Sequence, residues 1–317
     1  MTEARGEIFD IGYQHYDGPR NGRLHAVWSL WMNGFRTTLG LGRGTLAKLL
    51  PFGMLIATVA PAVGVVLLAT IFGPEEDIIP SHEDYYGLIS ILLLLFSAIV
   101  APELIIPDRR SGVINLYLVR PITAIDYVAA RWASFLGLSL ILVYSGQVLL
   151  LIGFLLTAGD PVDYLRDNWL DIPKFLAAGA LVALFVTTIP LAVSSFTTRR
   201  TYAAAVVIAV FVISVPVAGM LTSSDCEFSE RTTSEGANVQ TSRCEYVTGD
   251  AAKWFALLDV GRAPIILSNM IFDAEGTGDP VWRLIDAHHP SIPILWYALL
   301  VLGPGALLFL RYRRMTI

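Results

Sequence analysis

The sequence predicts an all-α membrane protein: six transmembrane helices, an N-terminal amphipathic helix in the membrane interface, and a large extracytoplasmic loop between helices 5 and 6. Three observations carry this. Of 317 residues, 55% are apolar and 15% charged, against roughly 45–50% and about 25% in soluble domains. The apolar residues lie in six runs without a single Asp, Glu, Lys, Arg or His, at 49–72, 85–102, 132–159, 175–198, 201–224 and 290–310. Between the runs, cationic and acidic residues segregate to alternate sides.

Each run is near the ~20 residues that a helix needs to cross ~30 Å of hydrocarbon. Irregular backbone facing lipid would leave its N–H and C=O groups unpaired, so the runs must be helical. Pro51, Pro61, Pro190, Pro216 and Pro304 then read as kinks packed against neighbouring helices. With the N-terminus inside and six crossings, 15 of the 22 Lys and Arg fall inside, and 20 of the 27 Asp and Glu fall outside. Orientation follows the Lys/Arg bias of short loops, so both termini are expected in the cytoplasm. No apolar stretch with a small-residue cleavage site precedes the first span, and insertion is expected to rely on that span.

Residues 1–23 are polar, with Tyr13, Tyr16, Gly18 and Pro19 pointing to an ordered arm. In 24–48, at 100° per residue, Leu24, Val27, Trp28, Trp31, Phe35 and Leu39 share an arc of about 120° opposite His25, Ser29, Asn33, Arg36 and Arg43. Two Trp on the apolar face and Arg on the other describe a helix in the interface. The other possibility is a helix packed on a soluble domain, which the chain does not supply. The long soluble segments are the inside connection 103–131 and the outside loop 225–289. Within the latter, Ala263–Phe272 is too short to span and is expected to be a short external helix or re-entrant piece resting on the outer surface. No repeat or linker divides the chain, so 1–317 is read as one membrane domain.

Cys226 and Cys244, the two cysteines, share the outer loop with 17 residues between them. Free thiols or half of a metal site are alternatives. Two sulfurs on an oxidising side with none left over favour a disulfide.

Motifs for chemistry are missing. Gly40–Gly44 is glycine-rich, but no Gly-Lys-Ser/Thr follows and no strand precedes it. Asp286, His288 and His289 can hold a metal on paper, although adjacent histidines before a proline are more often surface residues. No catalytic, cofactor-binding or metal residues are therefore assigned. Ionisable groups inside spans would mark an ion path; the polar residues there are Ser145, Gln147, Thr187, Thr188 and Ser214, which suit helix–helix hydrogen bonds.

The informative segment is the inside connection. Pro107 is expected to end the second span and Gly112 to turn the chain. Val113, Ile114, Leu116, Tyr117 and Leu118 form a short apolar helix, stopped by Pro121. Such a helix is costly to leave bare and should meet the interface or a partner protein. Glu103, at a helix C-terminus where the dipole disfavours an anion, calls for a cationic partner among Arg109, Arg110 and Arg131.

Here the run Asp108-Arg109-Arg110-Ser111-Gly112, then Leu116-Tyr117-Leu118-Val119-Arg120-Pro121-Ile122-Thr123, then Asp126-Tyr127, resembles the loop after the second span of type-2 ABC transporter permeases. The branch is the one with the copper-assembly permeases of denitrifying bacteria. The opening run Ile8–Arg20 is similar to the N-terminal arm of bacterial members. The family often has Gly-Lys where this chain has Ala130-Arg131, and the outer cysteine loop is more elaborate here. The resemblance implies a permease subunit in a bacterial plasma membrane, serving an exporter. Its coupling loop (Asp108, Arg109, Arg110, Gly112, Leu116, Tyr117, Arg120, Pro121, Asp126) would dock a separate cytoplasmic ATPase. ATP and Mg would bind that ATPase, and a second permease subunit, identical or not, would complete the path. Besides these, the expected partner is the lipid bilayer, not nucleic acid. A membrane-embedded enzyme is disfavoured, since the spans lack paired carboxylates or a nucleophile with its base. A non-transporting anchor presenting the cysteine loop to an outside partner is the remaining alternative.

Overall fold

The computed structural model describes residue 18 and residues 21–42, 44–73, 79–118, 122–232, 238–246, 250–273 and 280–314; within these, the side chains of 46, 115, 116, 118, 223–232, 238–246, 250, 280 and 282 are outside the description. In chain order it contains α1 (Arg23–Thr38), α2 (Thr45–Phe72), α3 (Asp84–Arg110), α4 (Val113–Leu118), α5 (Ala124–Thr157), α6 (Pro161–Asp167), α7 (Asp171–Phe196) and α8 (Arg200–Thr222). Strands β1 (Ser223–Thr232) and β2 (Asn238–Tyr246) follow, then α9 (Asp250–Ala256), a 3₁₀ turn (Val260–Arg262), α10 (Ala263–Phe272), α11 (Pro280–Asp286) and α12 (Ser291–Arg313).

Six helices, α2, α3, α5, α7, α8 and α12, are long and apolar enough to cross a membrane. They match the six apolar runs and extend several of them into charged flanks. Their burial sorts them into layers. The most apolar windows of α3 and α7 are 61% and 67% buried, against 17–22% for α2, α8 and α12. The first two therefore form the centre, and the last three present Leu, Ile and Val outward, the arrangement expected where lipid is the solvent. Successive spans alternate in direction, so one end of the bundle gathers Arg109, Arg131, Arg200 and Arg311 (the arginine-rich end). The opposite end carries the β-hairpin.

Two boundaries differ from expectation. Pro107 does not stop its helix: α3 runs through Pro102 and Pro107 to Arg110. Leu104, Ile105 and Ile106 between the prolines are buried, and their packing outweighs the one hydrogen bond each proline removes. The stop comes at Gly112, whose φ of 70° is open to glycine and strained for other residues. The amphipathic stretch is likewise split. Helix α1 ends at Thr38, and the chain turns through Gly40 (φ 68°) and Gly42 (φ 83°) before α2 begins. A Cβ on Gly40 would collide with the backbone of Ala47.

Helix α1 packs along the start of α5 by Leu30, Gly34 and Thr38, a seam beside the apolar arc read from the sequence. Gly34 lies so close to Ser134 that a side chain there would overlap it, and the Ser134 hydroxyl donates to Trp31 O at 2.7 Å. Trp28, Trp31 and Phe35 stack in series at 4.7 and 5.7 Å, leaving Leu24 and Trp28 exposed.

At the other end, β1 and β2 pair antiparallel with Cys226 opposite Cys244. The sequence predicts a loop here within an all-α fold, and the two strands depart from that expectation. The Cys226–Cys244 bond itself lies outside the described residues. Helix α10 does not rest on a surface: it packs against α7, α12 and α3 and buries Ala263, Pro264, Ile266, Leu267 and Ser268.

Candidate functional site

The arginine-rich end is built from short side chains and single turns. Thr123 caps α5 in a reciprocal box: its hydroxyl accepts from Asp126 N at 3.2 Å, and Asp126 Oδ2 accepts from Thr123 N at 2.9 Å. Such a box satisfies two of the four orphan donors of a helix start. Asp126 also accepts two bonds at 2.9 Å from Arg23, tying α1 to the same cap. One turn on, Tyr127 and Arg131 share a face of α5 at i, i+4 spacing.

Both point at Asp108, in the last turn of α3. Asp108 Oδ2 accepts from Arg131 Nη2 at 2.6 Å and from the Tyr127 hydroxyl at 2.8 Å. Arg131 is 4% exposed and lies 5.6 Å from the Tyr127 ring centroid. Tyr127 is flanked by Tyr117 of α4 at 5.9 Å and Tyr312 of α12 at 5.8 Å. Thus the short helix α4 is pinned by its Tyr117 to a stack joining α5 and α12, and that stack is locked to α3 by the ion pair of buried Arg131 with half-buried Asp108. Arg109, one position on and about 100° around α3, donates to Ser195 O and Thr197 O at the end of α7.

Glu103 meets Arg200 at the start of α8, not Arg109, Arg110 or Arg131 as the sequence predicts. Glu103 and Asp108 are five residues apart, about 140° around the helix, so one faces α8 and the other α5. Arg131 consequently pairs with Asp108. Of the remaining residues singled out from sequence, Arg110 and Gly112 are exposed beside the turn. The Leu116 side chain, Arg120 and Pro121 lie outside the described residues. The roles of Tyr312 and of Arg109 on the α7 carbonyls were not read from sequence; the Tyr127/Arg131 spacing was the available signal.

The polar residues of the spans divide as well. Thr187 donates to Ser139 (3.1 Å) and Trp132 to Thr188 (3.0 Å), bonding α5 to α7. Ser145 and Ser214 bond back to their own helices. Gln147, fully buried, holds His82 at the hairpin end: its amide donates to His82 O at 2.8 Å, and its oxygen accepts from His82 Nδ1 at 2.7 Å. His82 stacks on Phe175 at 5.6 Å and meets the edge of Phe154 at 5.4 Å, and burial pushes its pKa down. His288 lies against Trp254, and His289 bonds Ser291, so neither converges with Asp286 on a common point. An apolar cavity of about 480 Å³ opens between α3, α7, α8 and α10, walled by Leu94, Phe185, Phe211 and Val212, with the Asp259–Arg262 pair on one side.

These features define a multi-pass membrane protein with one well-built polar joint, where three spans and a short connecting helix meet at Asp108. The chain belongs to the family described as ABC-2 family transporter protein, whose sequence model matches residues 4–310. It is accordingly a membrane permease of an ABC transporter, the transport subunit and not the ATPase, and membership implies association with an ABC ATPase. No curated protein matches the chain with significance.

Proposed function

We propose that the chain is the permease of an ATP-driven exporter in a bacterial plasma membrane. A separate cytoplasmic ATPase, carrying ATP and Mg, docks on the 108–126 connection. In this reading 1–317 is one permease domain with both termini cytoplasmic, α1 lies in the interface, and a second permease subunit completes the path. Lys and Arg concentrate at the ends of spans on the docking side, and the run from Asp108 to Tyr127 resembles export-type permeases.

The observation that carries the reading is the attachment of α4. Energy must reach the spans through a small rigid element, since a loop free to swing would dissipate a partner's movement. Helix α4 is fixed through Tyr117 to Tyr127 and Tyr312, and through Tyr127 to Asp108. A displacement of α4 is thereby imposed on α3, α5 and α12 together. The test is co-purification from native membranes of the unmodified chain and of Leu116→Asp and Tyr117→Asp. The unmodified chain should bring down an ATPase, and the variants should insert normally but lose it. Variants that retain the ATPase and transport normally refute the docking assignment. Labelling by an impermeant thiol reagent of a cysteine at position 317 in intact cells refutes the orientation.

A further inference from the structure

We infer that the notch between the ends of α7 and α12 binds an anionic phospholipid, with the phosphate on Arg311 and Arg314 and one acyl chain along Leu307 and Leu310. The notch holds about 370 Å³ and is lined by those four residues and Phe196. On α12 the four fall at i, i+3, i+4 and i+7, one face of the helix. Leu307, Leu310 and Phe196 are each about half exposed, which is costly in water and natural against an acyl chain.

The polar half of the notch is cationic. The Arg311 guanidinium lies 4.7 Å from the Phe196 ring centroid, within cation–π range. Its Nε is shut off from solvent with no acceptor among the described residues. No ion pair is found for Arg311 or Arg314 among the described residues, whereas Arg23, Arg131 and Arg200 each hold a carboxylate. Arg311 is half-buried and Arg314 exposed, so a phosphate oxygen can meet their guanidinium groups from the notch side and gain charge-assisted hydrogen bonds. The partial negative charge at the end of α7 is already met, because Ser195 O and Thr197 O accept from Arg109. Apolar walls below two arginines at the end of a span match a phospholipid in both halves, and basic pockets between spans are a known mode of anionic headgroup binding.

The test uses full-length protein in nanodiscs of phosphatidylcholine with an equal part of phosphatidylglycerol, read by native mass spectrometry. The unmodified chain should leave the disc with phosphatidylglycerol retained in preference to phosphatidylcholine. Arg311→Gln should cut that retention roughly fivefold and the Arg311→Gln/Arg314→Gln pair roughly thirtyfold, at about one surface cation's contribution each. Arg313→Gln, on the other side of the same helix, should leave it unchanged. Leu310→Trp keeps both charges and fills the apolar half, and it too should reduce retention. Equal retention of both lipids, or an equal loss with Arg313→Gln, overturns the site. So does loss of a co-purifying protein subunit in Arg311→Gln with lipid retention intact, which would assign the notch to a protein.

Discussion

Arg131, which is buried, and Asp108, which is half-buried, form an ion pair at 2.6 Å across the joint between α5 and α3, and Tyr127 donates to the same carboxylate oxygen. Breaking a buried pair from one side leaves the other charge without compensation. Arg131→Ala is expected to cost about 3 kcal/mol, measured by unfolding in mixed detergent micelles. Asp108→Asn keeps two of the hydrogen bonds available but leaves the Arg131 guanidinium, 4% exposed, without its counter-charge, and should likewise cost about 3 kcal/mol. Arg131→Lys keeps the charge and loses only the fork geometry, so it should cost less than either. A loss from Arg131→Lys as large as the other two would show that the charge pair does not hold the joint.

A second expectation concerns close packing. A Cβ on Gly146 of α5 would overlap the Tyr85 hydroxyl, which donates to Thr58 O of α2 at 3.0 Å. Gly146→Ala should therefore separate three spans at once and cost about 1–3 kcal/mol, the usual range for overpacking. The ring carbons Cζ and Cε2 of Tyr85 would collide as well, so relief needs a smaller side chain, as in Tyr85→Leu. Adding Tyr85→Leu to Gly146→Ala should restore part of the loss, although Tyr85→Leu alone is destabilising. Additive effects in the double variant would exclude this contact as the cause.

His82 gives a pH dependence with a definite sign. Burial lowers its pKa from the ordinary value of 6.5, so the folded state holds the neutral ring while the unfolded chain takes up a proton first. Stability from this group is full above pH 6.5 and is lost as pH falls below that value toward the depressed folded pKa. Glu83 beside it is shifted up from 4.5 by burial, which penalises its charged form, so stability recovers as acid protonates it in that lower range. The thermal midpoint in detergent should fall as the pH drops below 6.5, and His82→Phe should flatten the fall. An unchanged slope in that variant would assign the effect to another group.

How much of this was legible in the sequence depended on which force decides each feature. The spans were legible because lipid excludes charge along each run, as from Trp132 to Gly159. The short helix at Val113–Leu118 was legible because Gly112 can take a positive φ and apolar residues follow. The partner of Glu103 was not, because it depends on which faces of α3 meet α8 and α5, a tertiary outcome that loop proximity does not encode. The passage of α3 through Pro107 was missed for a related reason: burial of Leu104–Ile106 overrides a local helix breaker. The hairpin escaped notice because β1 and β2 carry few apolar residues to set a period of two.

The last expectation joins that hairpin to the cysteines. The backbone register sets Cys226 directly opposite Cys244. Opposed residues of an antiparallel pair have Cβ atoms about 4.5–5.5 Å apart, and a disulfide needs roughly 3.5–4.5 Å, a small adjustment for a two-stranded ribbon. Closing a loop of this length stabilises by about 3 kcal/mol in the chain-entropy picture, and an isolated hairpin is marginal without such help. We therefore expect Cys226 and Cys244 to be linked, so that digestion without reduction yields one joined peptide by mass spectrometry. Cys226→Ser should speed hydrogen exchange and proteolysis across β1 and β2 while leaving α3, α5 and ATPase association unchanged, since the hairpin lies at the end remote from Asp108. Alkylation of both thiols before lysis in the native protein would rule the bond out. Slower transport with intact ATPase binding in Cys226→Ser would give the hairpin a part in the path itself.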